Sequence, residues 1–247
     1  MSSDNQALPF AAERIRRLFG RTCTGSFFCV FALIAFFPLS VHAEWTGGIE
    51  GGTVLQDAGA ATRLRGVLRN DERPLSHYLY AEWLNAENSG SGFAVGYNPR
   101  YWLNDAYYVF GESRLRTDEP LGIDRDAKLL AGIGGQYLHS AEQSLSLELG
   151  VGARSIEFDA SDDAFTDTLG IARMTYFRTL FDAVRLDVQA SVSESSEDIS
   201  ERNSEIGLSL RIPSGTVRVA YRDRYLKVGD ADAISDGDTF VSLGVGF

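Results

Sequence analysis

The chain has 247 residues and a formal net charge of −11, with 23 basic against 34 acidic side chains. So acidic a balance excludes nucleic acid as the natural partner, because binding to a phosphate backbone needs clustered cations. Glycine is abundant at 25, proline scarce at 6 and cysteine limited to 2, which excludes a disulfide-stapled domain and leaves membrane barrels and soluble β-sandwiches open.

Taken in order, the chain begins with a segment that is not expected to join the fold. Arg14, Arg16, Arg17 and Arg21 form a positive region, 26–39 is strongly apolar, and Val41-His42-Ala43 offers a small-residue cleavage site. Residues 1–43 are therefore read as a cleaved secretory leader and 44–247 as one domain. The Arg16-Arg17 pair suggests a twin-arginine signal. That route exports folded proteins, whereas the greasy core of this leader fits the general secretory route. Cys23 and Cys29 leave with the leader, so the mature domain has no disulfide and no thiolate metal site. Removing the leader's four arginines and two acids leaves 19 basic and 32 acidic residues, a net charge of −13. No later stretch approaches the roughly 18 consecutive apolar residues of a membrane helix.

The remainder is a series of short segments alternating apolar and polar residues, the period of a strand with one greasy face. They are predicted at 45–54, 62–70, 77–85, 93–101, 107–115 and 128–138. Six more are predicted at 144–154, 166–177, 184–193, 206–212, 216–225 and 239–247. The seventh is the cleanest: Leu145, Leu147, Leu149 and Val151 face one way, Ser146, Glu148, Gly150, Gly152 and Arg154 the other. The eighth is the poorest, since Leu169 and Ile171 share a face with Arg173 and a bulge is expected to re-aim the arginine. The last carries Val241, Leu243, Val245 and the terminal Phe247 on one face, the pattern of an outer-membrane assembly signal.

The connections separate a barrel from a sandwich. Tight turns are predicted around Pro74, Asp105, Ser140, Asp182 and Pro213, and the three longest connections, 116–127, 193–202 and 227–238, fall on the opposite parity. Short periplasmic turns alternating with longer outer loops mark an outer-membrane barrel. Two aromatic girdles are expected as well. Trp45, Tyr78, Tyr101, Trp102, Tyr107, Tyr137, Phe177, Phe181 and Phe247 fall near one set of strand ends, and Trp83, Phe93, Phe165, Tyr225 and Phe240 near the other. The predicted fold is all-β, an antiparallel up-and-down transmembrane β-barrel of about 12 strands. Closure satisfies its own edges, so a monomer is expected.

The run 101–115, Tyr-Trp-Leu-Asn-Asp-Ala-Tyr-Tyr-Val-Phe-Gly-Glu-Ser-Arg-Leu, followed by Asp118 and Gly122, resembles a known bacterial family. So does 131–137, Ala-Gly-Ile-Gly-Gly-Gln-Tyr, continued by 145–152, Leu-Ser-Leu-Glu-Leu-Gly-Val-Gly. Both are similar to the proteins of unknown function typified by a salt-induced outer-membrane protein, most clearly over 93–158. The resemblance implies an outer-membrane barrel and implies no chemistry.

With lipid outside, the other face of each strand lines the lumen. It carries Arg63, Arg65, Arg69, Arg114, Arg154, Arg185, Arg211, Arg218 and Arg222, against Glu50, Glu82, Glu112, Glu148, Asp187 and Glu205. These charges either pair off in a packed polar interior or line a narrow, mildly cationic pore. Gly150, Gly152, Gly207 and Gly244 on that face leave space and favour the pore. A lipid-modifying enzyme is the third class, but His77 and His139 both fall at turns, and His139-Ser140-Ala141-Glu142 supplies the residue types of a hydrolase and nothing more. No catalytic residues are assigned. The acidic stretches Asp159, Asp162 and Asp163, Glu194, Glu197 and Asp198, and Asp230, Asp232, Asp236 and Asp238 lack the spacing of a calcium loop and are read as solvated outer loops. No cofactor and no metal is expected. The expected surroundings are outer-membrane lipid and lipopolysaccharide, reached through periplasmic chaperones and the barrel-assembly machinery. The expected role is envelope adaptation through passage of small solutes.

Overall fold

The computed structural model describes residues 44–56, 59–86, 90–159, 164–229 and 232–246. The expected leader and Phe247 lie outside the described residues, as do Asp162, Asp163 and Asp230. Twelve strands run in order: β1 Thr46–Gln56, β2 Gly59–Asn70, β3 Leu75–Ala86, β4 Gly90–Trp102, β5 Tyr107–Asp118 and β6 Ile123–His139. The second half comprises β7 Gln143–Phe158, β8 Ala164–Phe181, β9 Val184–Ser195, β10 Ile199–Ile212, β11 Gly215–Val228 and β12 Ile234–Gly246. Each pairs antiparallel with its neighbours in the chain, and β1 pairs with β12 to close the wall. A 3-10 turn, Glu119–Leu121, joins β5 to β6. The end where β1 begins, which also holds the turns 71–74, 103–106, 140–142, 182–183 and 213–214, is termed the lower end.

The alternation in sequence becomes the two faces of this wall. Ile133, Leu149, Val151 and Leu243 point outward and each leaves more than 60% of its surface uncovered. A continuous band of such side chains would be strongly unfavourable in water, so the outer face is built for lipid. Val241 and Val245 lie on the same outward face as Leu243. Side chains of the other parity turn inward, and among the described residues the buried ones are largely charged or polar.

The predicted long loops are instead strand. β5 runs on to Asp118 and β6 starts at Ile123, so 116–127 is mostly ladder. Likewise 193–202 shrinks to the turn at 196–198 and 227–238 to 229–233, which leaves both ends with short connections. The reason is that the wall outgrows the bilayer. A spanning strand needs about 9–11 residues, whereas β6, β7 and β8 have 17, 16 and 18. Above the lipid the outer face must also be polar, and there Arg125 pairs with Glu157 across β6 and β7 at 3.1 Å. The contrast between faces vanishes from the sequence while the backbone ladder continues. Asp236 and Asp238 belong to β12 and face inward rather than forming a solvated loop.

Strand β8 departs from expectation in the same way. Leu169, Ile171 and Arg173 all face the lumen, with Gly170, Ala172 and Met174 outside, and the register with β9 is unbroken there. Its bulge lies at Thr179 and Phe181. The expected girdles are also thinner. Tyr101, Tyr107, Tyr137, Phe181, Trp83, Phe93 and Phe165 are exposed. Tyr78 turns inward to Arg65, Trp102 to Ser76, Phe177 lies under Arg185, and Phe240 is buried under Arg63. A ring at a strand end faces lipid or lumen by parity alone, and these four have the inward parity.

The seam depends on close approach. A Cβ on Gly52 would lie 2.1 Å from the Val241 carbonyl oxygen and 2.6 Å from the Ser242 Cα, so only glycine fits opposite Ser242. Nothing lies within 4 Å of the equivalent position at Gly66. Gly52→Ala is therefore expected to reduce the fraction of heat-modifiable folded barrel sharply, with Gly66→Ala near wild type; equal yields would place the seam wrongly. Single cysteines at 147, 188 and 208 should react with lipid-soluble maleimides, and those at 146, 187 and 209 should not, since neighbours on a strand face opposite sides. Equal labelling within each pair would refute the register.

Candidate functional site

The lumen divides into three levels, each assembled from inward positions on several strands. At the top, Leu121 of the 3-10 turn, Ile123 of β6, Ile156 of β7, Ile199 of β10 and Leu226 of β11 form one buried cluster, with Phe158 and Val228 packed on it. Residues from opposite walls meet here, so the upper lumen is filled with hydrocarbon.

Below it lies a network of ion pairs that crosses the barrel. Glu201 of β10 reaches Arg116 of β5 at 3.1 Å, Lys128 of β6 at 2.6 Å and Arg154 of β7 at 3.3 Å. Asp126 takes Arg114 at 3.0 Å, Arg116 at 2.9 Å and Arg154 at 2.9 Å. A second branch runs from Asp118 to Arg224 at 2.7 Å, with Arg224 also on Asp236. Arg222 links Asp238 at 2.8 Å to Glu82 at 3.1 Å, and Glu82 accepts Arg63 at 2.7 Å. A third branch joins Arg173 to Glu112 at 2.5 Å and to Glu148 at 2.9 Å, where Glu148 also takes Arg100 at 2.9 Å and the Tyr108 hydroxyl at 2.9 Å. Asp126 and Asp238 are wholly buried and Glu201 is 3% exposed. Charges so far from water persist only when paired, and here most carboxylates hold two or more cations.

The lower third is open. A cavity of about 520 Å³ is lined by Glu50, Arg65, Phe177, Arg185, Asp187, Gln189, Ser209, Arg211 and Arg218, among others. Arg185 lies 4.0 Å above the Phe177 ring and pairs with Asp187 at 2.7 Å. Arg218 lies against Gly207 and pairs with Glu205 at 2.6 Å. Arg65 donates to the Tyr78 hydroxyl at 3.0 Å, and Glu50 accepts the Ser242 hydroxyl.

The predicted lumen residues thus separate into two groups. Arg63, Glu82, Glu112, Arg114, Glu148, Arg154 and Arg222 enter the network, while Arg65, Arg185, Asp187, Arg211 and Arg218 line the cup. Arg69 stays at the lower rim, exposed and 3.4 Å from Asp71. Sequence reading missed Arg116, Asp118, Asp126, Lys128, Glu201, Arg224, Asp236 and Asp238, because they fall in stretches taken for loops or at their margins. The signal was present: 112, 114, 116 and 118 share one parity, as do 126 and 128. Arg173 was missed because its apolar companions were assigned to lipid.

Of the lumen glycines expected to leave space, Gly244 borders the lower cavity, but Gly150, Gly152 and Gly207 do not. Phe110 sits 3.0 Å from the Cβ position of Gly150, the Leu130 side chain 2.8 Å from that of Gly152, and the Arg218 guanidinium 3.0 Å from that of Gly207. Each gap is taken by a larger side chain, from the next strand at Gly152 and Gly207 and from two strands away at Gly150.

The two histidines lie apart from all this. The His77 ring stacks with those of Trp45 and Tyr97 on the outer face, with Nδ1 2.8 Å from the Tyr97 hydroxyl. In the turn after His139, the Ser140 hydroxyl accepts the Gln143 N–H at 3.1 Å and so helps close the turn. Among the described residues no three His, Cys, Asp or Glu are grouped to hold a metal ion.

Comparison with known proteins bears on the fold. The family described as "Protein of unknown function, DUF481" matches residues 58–247. Among solved structures, the NanC porin is similar at 10% identity over 80% of this chain and 98% of that one, with a TM-score of 0.56. The COG4313 outer membrane channel from Pseudomonas putida F1 is similar at 9% identity over 83% and 96%, with a TM-score of 0.47. The outer membrane channel DcaP of Acinetobacter baumannii is similar at 8% identity over 83% and 97%, with a TM-score of 0.46. At 10% identity the likeness to the NanC porin shows the fold alone. No curated protein matches the chain.

Removing one partner of a buried pair strands the other charge, at a cost of about 3–5 kcal/mol. Glu201→Gln should therefore lower stability by about that much in urea, read by tryptophan fluorescence. Asp187→Asn, beside the half-exposed Arg185, should cost no more than about 1 kcal/mol. Equal losses would show that the network is not the stabilising core.

Proposed function

The chain belongs to the DUF481 family of proteins of unknown function, and from that premise we propose that it is an outer-membrane barrel shut across its waist. On this reading it is a structural envelope protein with a blind cup at its lower end. The observation that carries it is Glu201, 3% exposed, which spans the lumen from β10 to cations on β5, β6 and β7. An eight-stranded barrel is filled by its side chains and one of 16 or more strands holds a channel. With 12 strands the choice rests on the lining, and here long arginines and their carboxylates meet from opposite walls beneath an apolar layer.

A narrow pore for small solutes is the second reading. It is favoured by a void of about 10 Å³ that shares Glu50 and Arg65 with the cup and extends it towards Arg63. That void is about the size of one water molecule, and opening it further would require the Arg222–Glu82–Arg63 branch to part. In either case the proposal places the protein in the outer membrane, exported with the 1–43 leader removed. It would reach the assembly machinery with periplasmic chaperones, sit as a monomer among lipid and lipopolysaccharide, and take part in envelope adaptation, including to salt.

Purified protein in a planar bilayer should show no steady current. The balanced double variant Lys128→Ser with Glu201→Ser, which removes a cation and an anion together, should admit resolvable openings. Steady conductance of the unaltered protein at low voltage would overturn the closed reading in favour of the pore.

A further inference from the structure

We infer that the lower cup is a binding site for a small multivalent oxyanion, with a tricarboxylate as the best-fitting class. The inference rests on the reading of the lumen as shut at its waist, which makes the cup a pocket, and adds what that pocket holds. Its volume of about 520 Å³ falls within the range of roughly 300–1,000 Å³ typical of small-molecule sites.

The charges in the cup run against the rest of the molecule. The chain as a whole carries −11, yet in this pocket the arginines Arg65, Arg185, Arg211 and Arg218 outnumber the carboxylates Glu50, Asp182 and Asp187. Of the lining carboxylates, Glu50 is engaged by Ser242 and Asp187 by Arg185, while Asp182 stands exposed at the turn; Glu205, close by, is held by Arg218. Arg211 is exposed to the cup and, among the described residues, has no carboxylate partner. At the floor, the Nε donors of Arg65 and Arg218 are buried without an acceptor. Donors therefore outnumber acceptors, in a concave site whose walls focus the field of its cations.

The register shows why these arginines converge. Ser209 of β10 lies directly opposite Arg185 of β9 on one side and Arg218 of β11 on the other. With strands about 4.8 Å apart, the two arginine Cα atoms are roughly 10 Å from each other. Arg211 is the next inward residue below Ser209, about 7 Å along the strand. Two cations and a hydroxyl thus stand in one cross-strand row, with a third cation below. Guanidinium forks bind carboxylate and phosphate oxygens in pairs, and one small polyanion can meet all three from the centre of that triangle. The polar lining, with Gln189 and Ser209 beside a single aromatic ring, suits a hydroxylated or carboxylated solute better than an apolar one.

The test is isothermal titration of the mature protein, residues 44–247, in detergent at low salt, with citrate, inorganic phosphate and glucose as probes. Citrate should bind saturably at one site, phosphate more weakly and glucose not at all. Arg211→Gln and Arg185→Gln should each weaken citrate about tenfold or more, as expected for loss of a charge-assisted hydrogen bond. Arg69→Gln at the lower rim should leave it unchanged, and added salt should weaken it. Absence of citrate heat, or an equal loss on Arg69→Gln, would overturn the site. Closure at the waist is judged separately, by conductance of the same preparation. Current with citrate binding intact refutes the closed barrel, whereas a silent bilayer without citrate binding refutes the site alone.

Discussion

In hydrocarbon no water can satisfy the free edge of a sheet, so the pairing of β1 with β12 is the condition under which the other eleven ladders can exist in lipid at all. That seam brings small residues face to face, with Gly48 and Gly52 on β1 opposite Gly246 and Ser242 on β12. Small side chains let the two backbones approach, and the Ser242 hydroxyl adds a bond to Glu50 just inside the wall. Once the wall is closed, inside and outside are defined for every residue by parity, and all further chemistry is confined to the inward set.

Closure creates a second demand. Inward cations are removed from bulk water, and in a barrel of this size the opposite wall is near enough to answer them. Glu201, Glu82 and Asp118 each meet arginines from distant strands, so the wall is braced from within as well as along its ladders. The bracing is uneven. The β5–β7 side and its partners on β10 and β11 are held by ion pairs under an apolar layer, whereas the lower end has arginines with fewer acids and remains hollow. One end of the lumen is a packed interior and the other a concave basic surface.

How far the fold was legible in the sequence depends on the range over which each signal acts. The lipid-facing alternation from β1 to β12, the strand count and the lower turns all rest on residues one or two positions apart. They could be read directly, and the inward positions of Arg63, Arg114 and Arg154 came with them. The upper halves of β5 to β8 could not, because a wall standing above the membrane is polar on both faces and loses the period-two contrast that identifies it. Arg116 and Asp126 looked like loop residues for that reason, as did Glu201 at the upper end of β10.

The sequence by itself determined a closed barrel with a greasy outside and a charged inside, since parity is a local property that survives without knowledge of any partner. Only the tertiary structure decided whether that inside is full or empty. Arg222 finds Glu82 across 140 residues and Arg116 finds Glu201 across 85, and no spacing rule links them. Their meeting depends on the circumference of the closed wall, and so does the filling of the gaps at Gly150 and Gly152 by Phe110 of β5 and Leu130 of β6. Which charges face each other across a lumen is set by ring closure, and ring closure is a property of the whole chain.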